Sequence, residues 1–312
     1  MREFSGSKEA FAAALCDLAE KNDKVVGVFP DSIKAMRAVD FGKKFPDRAI
    51  ECGIAEQGAV DVTAGLAAAG MIPFMGTYCG FMTMRGCEQL RTFVAYPDLN
   101  AKFVGGNAGL AGGGKEGTTH QFYEDLGILS NIPNFTLLTP ADPYQMYHAV
   151  IAAAEIPGPV YVRSASGKEK NIYKKDDLFS MDGITVWREY GNDAILVSNG
   201  YVLNRVLGAA DLLKDQGINV TAVDINILYG KHPEKIIDVL GRSSQIVTVE
   251  DHNINGGVGA YISKLVCENK PARVTRIGLT TFGESGGFDE LLDKYGMSAE
   301  EIAETTKKAL GK

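Results

Sequence analysis

Apolar and polar residues follow one another along this chain in two rhythms. Short β-branched or aromatic runs occur at KVVGVF (24–29), MIPFMG (71–76), AKFVGG (101–106), FTLLTP (135–140) and PVYVR (159–163). Between them lie longer stretches whose apolar residues recur every three to four positions, at 8–22, 56–69, 82–95 and 142–155. The first rhythm predicts buried strands and the second predicts amphipathic helices. AIEC (49–52) predicts one more short strand, running almost directly into helix 56–69. Strand, loop and helix repeat with few long gaps, the pattern of a parallel sheet covered by helices.

Residues 166–190, SGKEKNIYKKDDLFSMDGITVWREY, break that rhythm with charge, irregularity and the only tryptophan. They read as an interdomain connector with room for a short hairpin. Strand-like runs resume at 193–199, 218–225, 244–251 and 272–279, alternating with helical stretches at 202–217, 256–267 and 287–310. The expected fold class is therefore α/β, with two domains, each a mostly parallel sheet with helices on both faces.

Composition narrows the function. The 312 residues suffice for about two domains. Lys and Arg number 32 against 39 Asp and Glu, a formal net charge of −7, and no basic cluster stands out. That balance argues against a nucleic-acid partner. The apolar runs fall far short of the ~18 residues of a membrane span. No charged segment followed by an apolar core opens the sequence as a secretory signal would. No membrane partner and a cytoplasmic location are expected. Cys16, Cys52, Cys79, Cys87 and Cys267 are scattered and odd in number, with no C-x-x-C, as befits reduced thiols. His120, His148, His232 and His252 are too widely spaced for a metal pair, so no metal site formed by this chain alone is expected.

Two motif matches lead nowhere. GLAGGGK (109–115) fits the phosphate-loop pattern, but Glu116 stands where magnesium needs a Ser or Thr. GESGG (283–287) fits the nucleophile elbow of hydrolases, yet no histidine follows it in the chain.

The informative segment is CGIAEQGAVDVTAGLAAAG (52–70). It puts the carboxylate of Glu56 at the mouth of a strand, at the sheet edge where open α/β folds bind ligands. Its small residues permit close approach of another helix or subunit. Taken alone, a glutamate opening a helix is a dipole-stabilising residue. Four further segments change that reading: GTYCGFMTMRGCEQLR (76–91), EGTTHQ (116–121), LTPADP (138–143) and VYVR (160–163). In this order they resemble the C-terminal half of the transketolase family, and VEDHNINGGVGAYISKLV (249–266) and TTFGESG (280–286) resemble its C-terminal domain. The resemblance runs from about residue 8 to 310, as in the C-terminal subunit of a split transketolase.

The resemblance implies a thiamine-diphosphate pyrimidine-binding domain over 1–167, a linker over 168–190 and a transketolase C-terminal-like domain over 191–312. In that family a glutamate hydrogen-bonds N1′ of the aminopyrimidine, and Glu56 falls on its position. A carboxyl in a mostly apolar pocket can share a proton with a ring nitrogen. Tyr78 and Phe81 fall on the aromatic positions around the pyrimidine, and Met84 stands where a third aromatic is common. Without the resemblance these three would read as core packing. His120 matches the histidine facing the reacting centre. Arg163 matches a sugar-phosphate arginine, whose fork suits a dianion, and Ser32 is near a serine of like role. Asn107 replaces the usual histidine and Glu116 the usual aspartate of the donor site. Those changes point to an unusual ketose or an altered acceptor, because such hydrogen-bonding groups set specificity.

No G-D-G magnesium motif occurs in the sequence. The expectation is therefore one half of an α2β2 enzyme. An N-terminal transketolase subunit would hold Mg2+ and the diphosphate of thiamine diphosphate, and this chain alone would be inactive. The products expected of the pair are ketol transfers between sugar phosphates. The β subunit of a 2-oxoacid dehydrogenase shares the arrangement and the glutamate, and deoxyxylulose phosphate synthase resembles the segment too. A transketolase-like scaffold without catalysis is the alternative from another class.

Overall fold

The computed structural model describes residues 3–165, 169–230 and 232–312. Twelve strands build two sheets. The first half supplies β1 (Val25–Phe29), β2 (Ala49–Glu51), β3 (Ile72–Tyr78), β4 (Lys102–Gly106), β5 (Thr136–Leu138) and β6 (Val160–Arg163). The second half supplies β7 (Ile184–Glu189), β8 (Ile195–Ser198), β9 (Thr221–Ile225), β10 (Ile227–Leu228), β11 (Gln245–Asn253) and β12 (Arg273–Leu279).

The seven-stranded sheet has the order β10-β5-β6-β4-β3-β1-β2 and is parallel except for β10. β1, β4 and β6 are buried at every position, which explains their mostly apolar spelling, with Lys102 and Arg163 at the ends of β4 and β6. Alternate side chains serve two cores. Val28, Met75, Phe103 and Tyr161 join Val60, Met82 and Leu90 on one face. Val25, Phe29, Phe74, Val104 and Val162 join Phe11, Leu15, Met146 and Val150 on the other. Helices therefore cover both faces, and the α/β expectation holds for the whole chain.

The five-stranded sheet has the order β12-β11-β8-β9-β7, parallel except for β7. Its edge strand β7 comes from the stretch expected to be irregular, and it pairs antiparallel with β9 instead of turning back as a hairpin. The connector is pinned further by Tyr173, which stacks edge-on against Trp187 at 4.8 Å and donates to buried Asp224 at 2.9 Å. The expected boundary at 167/168 lies outside the described residues.

Three expectations are corrected in detail. The helix expected over 287–310 is two, Phe288–Lys294 and Ala299–Ala309. Gly296 turns at φ +80° between them, and Ser298 caps the second by accepting from the N–H of Glu301. The helix expected over 82–95 is two π-helical segments, Phe81–Arg85 and Leu90–Ala95, around Gly86. A Cβ at Gly86 would lie 2.9 Å from the Met82 carbonyl and 3.0 Å from Val60, so a glycine is needed where the segment packs on the helix Glu56–Ala68. Finally, Ile227 and Leu228 leave the second half to pair with Leu138 and Leu137 at the edge of the first sheet. Periodicity cannot announce a strand of two residues.

Candidate functional site

Parallel strands deliver their following loops to one edge, and here the carboxyl ends of β1, β2, β3 and β4 converge. β2 ends at Glu51, and five residues later Glu56 opens the helix Glu56–Ala68. Its carboxyl is 6% exposed and accepts from Arg85 Nη1 at 2.7 Å. β3 delivers Tyr78 and Phe81, whose rings lie 5.7 Å apart. His120 meets both rings edge-on, at 5.7 Å from Tyr78 and 5.3 Å from Phe81. The Arg85 guanidinium lies 3.9 Å over the Phe81 ring.

β4 delivers Asn107, held at φ +56°. Lys8 donates to Asn107 Oδ1 at 2.5 Å, and Asn107 Nδ2 donates to Glu116 at 2.6 Å. Lys8 Nζ also stands 5.0 Å from the Tyr78 ring centroid, which ties this relay to the aromatic group. Burial pulls the Lys8 ammonium below its usual range, opposed by the carboxylates of Glu116 and Glu169. Burial also pushes the Tyr78 phenol up, with Glu116 adding to it. A cleft of ≈ 210 Å³ opens beside Lys8, Asn107, Gly113, Lys115 and Glu116. A second, of ≈ 460 Å³, is lined by Ile54, Ala55, Glu56, Gln57, Gly58 and Arg85. A larger cavity of ≈ 560 Å³ lies elsewhere, beside Thr136, Ile227 and Tyr261, and contains none of the expected site residues.

Glu56, Tyr78, Phe81, Asn107, Glu116 and His120 are thus brought together. The other three residues are not part of this contact set. Met84 is 46% exposed on the widened segment. Ser32 is buried and donates to the Gly76 carbonyl at 2.5 Å. Arg163 is enclosed at the junction of the two halves. Its Nε donates to Asp125 at 3.0 Å and its Nη2 to the Asp251 carbonyl at 3.0 Å. Burial works against its charge, but Asp125, Tyr161 and Asp251 outweigh burial and hold the guanidinium above its ordinary value. Its Nε and Nη2 are thus engaged with the fold.

Lys8 and Arg85 were not singled out in the sequence. Lys8 shares the buried stripe of the helix Ser7–Lys21 with Phe11 and Leu15, and a lysine at such a position is a signal in itself. Arg85 carries no comparable sign. The two near-miss motifs also resolve. In GLAGGGK the amides of Leu110 and Ala111 are taken by the Asp251 carboxylate at 2.8 and 3.1 Å, so a side chain fills the place of a phosphate. Ser285 of GESGG lies in a turn against Gly117.

The donor set can be tested against an aminopyrimidine. That ring is planar, offers N–H groups to a carboxylate and stacks on aromatic faces. The Arg85 guanidinium has the same three properties, and it bridges Glu56 and the Phe81 face at the lip of the ≈ 460 Å³ cleft. The residues therefore fit the group.

A buried carboxyl opening a helix, with an aromatic pair and a histidine beside it at a sheet's carboxyl edge, is the arrangement of a pyrimidine-binding domain. The chain belongs to the transketolase family. The family model for the transketolase pyrimidine binding domain matches residues 6–168, and that for the transketolase C-terminal domain matches residues 183–302. The chain is 33% identical over 306 residues to a putative transketolase C-terminal section of Methanocaldococcus jannaschii, covering 96% of this chain and 95% of that one. It is 32% identical over 296 residues to a 6-deoxy-6-sulfo-D-fructose transketolase subunit of Clostridium sp. strain MSTE9, covering 95% and 91%. Among solved structures, a split gene transketolase described as an inactive beta4 tetramer superposes with a TM-score of 0.88 at 32% identity, over 99% of both chains. Members of this family generally use thiamine diphosphate and a divalent metal.

Proposed function

We propose that this chain is the C-terminal subunit of a split, thiamine-diphosphate-dependent transketolase of the cytoplasm, moving a two-carbon ketol unit from a ketose to an aldose. The observation that carries the reading is the single group formed by Glu56, Tyr78, Phe81, Asn107, Glu116 and His120 at one sheet edge. Thiamine diphosphate, when bound, supplies the nucleophile and electron sink for cleaving a carbon–carbon bond. Glu56 holds a proton at N1′ of its pyrimidine, and Phe81 and Tyr78 exclude water from that ring. His120 stands beside both rings, where it can position or protonate the sugar. Asn107 and Glu116 read hydroxyls of the substrate, and Lys8 and Lys115 give their cleft a cationic wall for an anionic sugar tail. A phosphate and a sulfonate are both of that kind.

The diphosphate and Mg2+ are assigned to a partner subunit with the N-terminal domain, in an α2β2 assembly. The helix Glu56–Ala68 supports a partner here. Gly58 and Gly65 lie on its exposed side with open space around each Cβ position. Glycine inside an exposed helix costs roughly 1 kcal/mol against alanine, an expense explained by the close approach of another chain. Ile54, Val62, Met84, Phe93 and Tyr96 are exposed on and around the same face.

Co-expression with the product of the neighbouring reading frame tests the reading. A stable complex should bind thiamine diphosphate with Mg2+ and turn over a ketose phosphate, and this chain alone should do neither. Binding by neither preparation would leave the scaffold reading in its place, and steady tight binding by the lone chain would overturn the assignment of the diphosphate to a partner.

A further inference from the structure

The residues expected to read the sugar sit on one loop, 107–121, and the second sheet holds that loop from behind. Asp251, near the end of β11, receives the N–H groups of Leu110 and Ala111 on its two carboxylate oxygens, at 2.8 and 3.1 Å. Gly109, at φ +85°, lets the backbone come close enough. A Cβ there would stand 2.2 Å from Asp251 Oδ2 and 2.3 Å from the Tyr201 hydroxyl. The grip continues along the loop. Tyr201 donates to the Ala108 carbonyl at 3.3 Å, the N–H of Gly286 to the Gly114 carbonyl at 2.9 Å, and Gln121 to the Glu284 carbonyl at 2.7 Å.

What is gripped is directly continuous with what faces the site. A Cβ at Gly112 would fall 2.8 Å from the carbonyl carbon of Asn107, and one at Gly113 would fall 1.7 Å from the carbonyl oxygen of His120. The short helix Gly109–Gly112 is therefore wedged between the backbones of the two residues, and any shift of its first turn is passed to both. Asp251 itself is 2% exposed, and its backbone carbonyl is fixed by Arg163 Nη2 at 3.0 Å. The buried arginine thus takes part in the clamp.

We propose that Asp251 is a positioning residue, through which the second domain sets the places of Asn107 and His120. Among the described residues Asp251 is the loop's charged anchor in the second domain, and two backbone amides converging on one carboxylate fix it in both position and orientation. Errors of about 1 Å in such a constellation cost ~10²-fold in rate. The kinetic consequence rests on the transketolase reading above, whereas the mechanical one does not.

The test uses Asp251→Asn, nearly equal in size, which leaves one amide facing a donor instead of an acceptor. In the variant chain, relative to the wild type, amide hydrogen exchange of 109–121 should accelerate at least about tenfold, with exchange in the helices Ser7–Lys21 and Glu56–Ala68 unchanged. In the reconstituted complex, kcat/KM for the ketose should fall ~10²-fold while the affinity for thiamine diphosphate stays within about twofold, a split that general destabilisation does not produce. Tyr201→Phe, which removes only the bond to Ala108, should give a smaller change in the same direction and serves if Asp251→Asn does not fold. Unchanged exchange over 109–121, or equal loss of cofactor affinity and turnover, would overturn the proposal. If the wild-type complex turns over no ketose, the enzymatic reading falls and the exchange result alone decides the clamp.

Discussion

At the residue scale, Arg85 is the side chain with the most to explain. It donates to the Glu56 carboxyl and covers one face of Phe81, so a planar cofactor ring must displace it. In the reconstituted complex, Arg85→Ala is expected to tighten or accelerate thiamine diphosphate binding severalfold, read by titration and stopped-flow; weaker binding would make Arg85 a cofactor contact instead. Glu56→Gln, keeping the shape but losing the charge, is expected to lower kcat by 10²-fold or more, about the range of proton-transfer catalysis. Glu56 stood out by its place between a strand and a helix, whereas Tyr78, Phe81, Asn107, Glu116 and His120 were legible through the family resemblance of the segments that carry them; the structure gathers all six. The structure gives Arg163 a role in the fold that its motif does not announce. A strand-end arginine looks the same whether it faces ligand or fold, and its partners Asp125 and Asp251 lie 38 and 88 residues away.

Individual elements were legible where burial wrote them on both faces, as in β1, β4 and β6, and less so where contact with a neighbour decided their form. The π-helical turns flank Gly86, which packs tightly on the helix Glu56–Ala68, a contact outside their own periodicity. Two glycines make this scale testable. Gly105 would put a Cβ 2.3 Å from the buried Tyr161 hydroxyl and 2.6 Å from Cys79. Gly105→Ala is therefore expected to cost about 1–3 kcal/mol in chemical denaturation. Gly65 has nothing within reach of its Cβ, so Gly65→Leu should leave the lone chain folded and block its assembly with the partner subunit. A complex that forms normally with Gly65→Leu would remove this helix face from the interface.

For the molecule as a whole, stability is tied to acids sealed inside the second half. Burial pushes the Glu250 and Asp224 carboxyls up to about 8. Both values lie above those of the unfolded chain, so each contributes stability that is complete below about pH 4 and lost as pH rises through about 8. The thermal midpoint is expected to fall by at least about 5 °C between pH 5 and pH 9, and the double variant Glu250→Gln, Asp224→Asn should flatten most of that slope. The two-domain α/β plan was legible from the rhythm of strands and helices. The two-residue strand that joins them was not, although it changes what the halves can do apart. Ile227 and Leu228 cover the open edge of β5, and an uncovered edge is a template for aggregation. A chain severed in the connector would yield one product with an open seam and another carrying a loose stitch. Recombination inside the connector is therefore expected to be costly, because the stretch that looks like a joint in the sequence is one where a cut parts an edge from its cover.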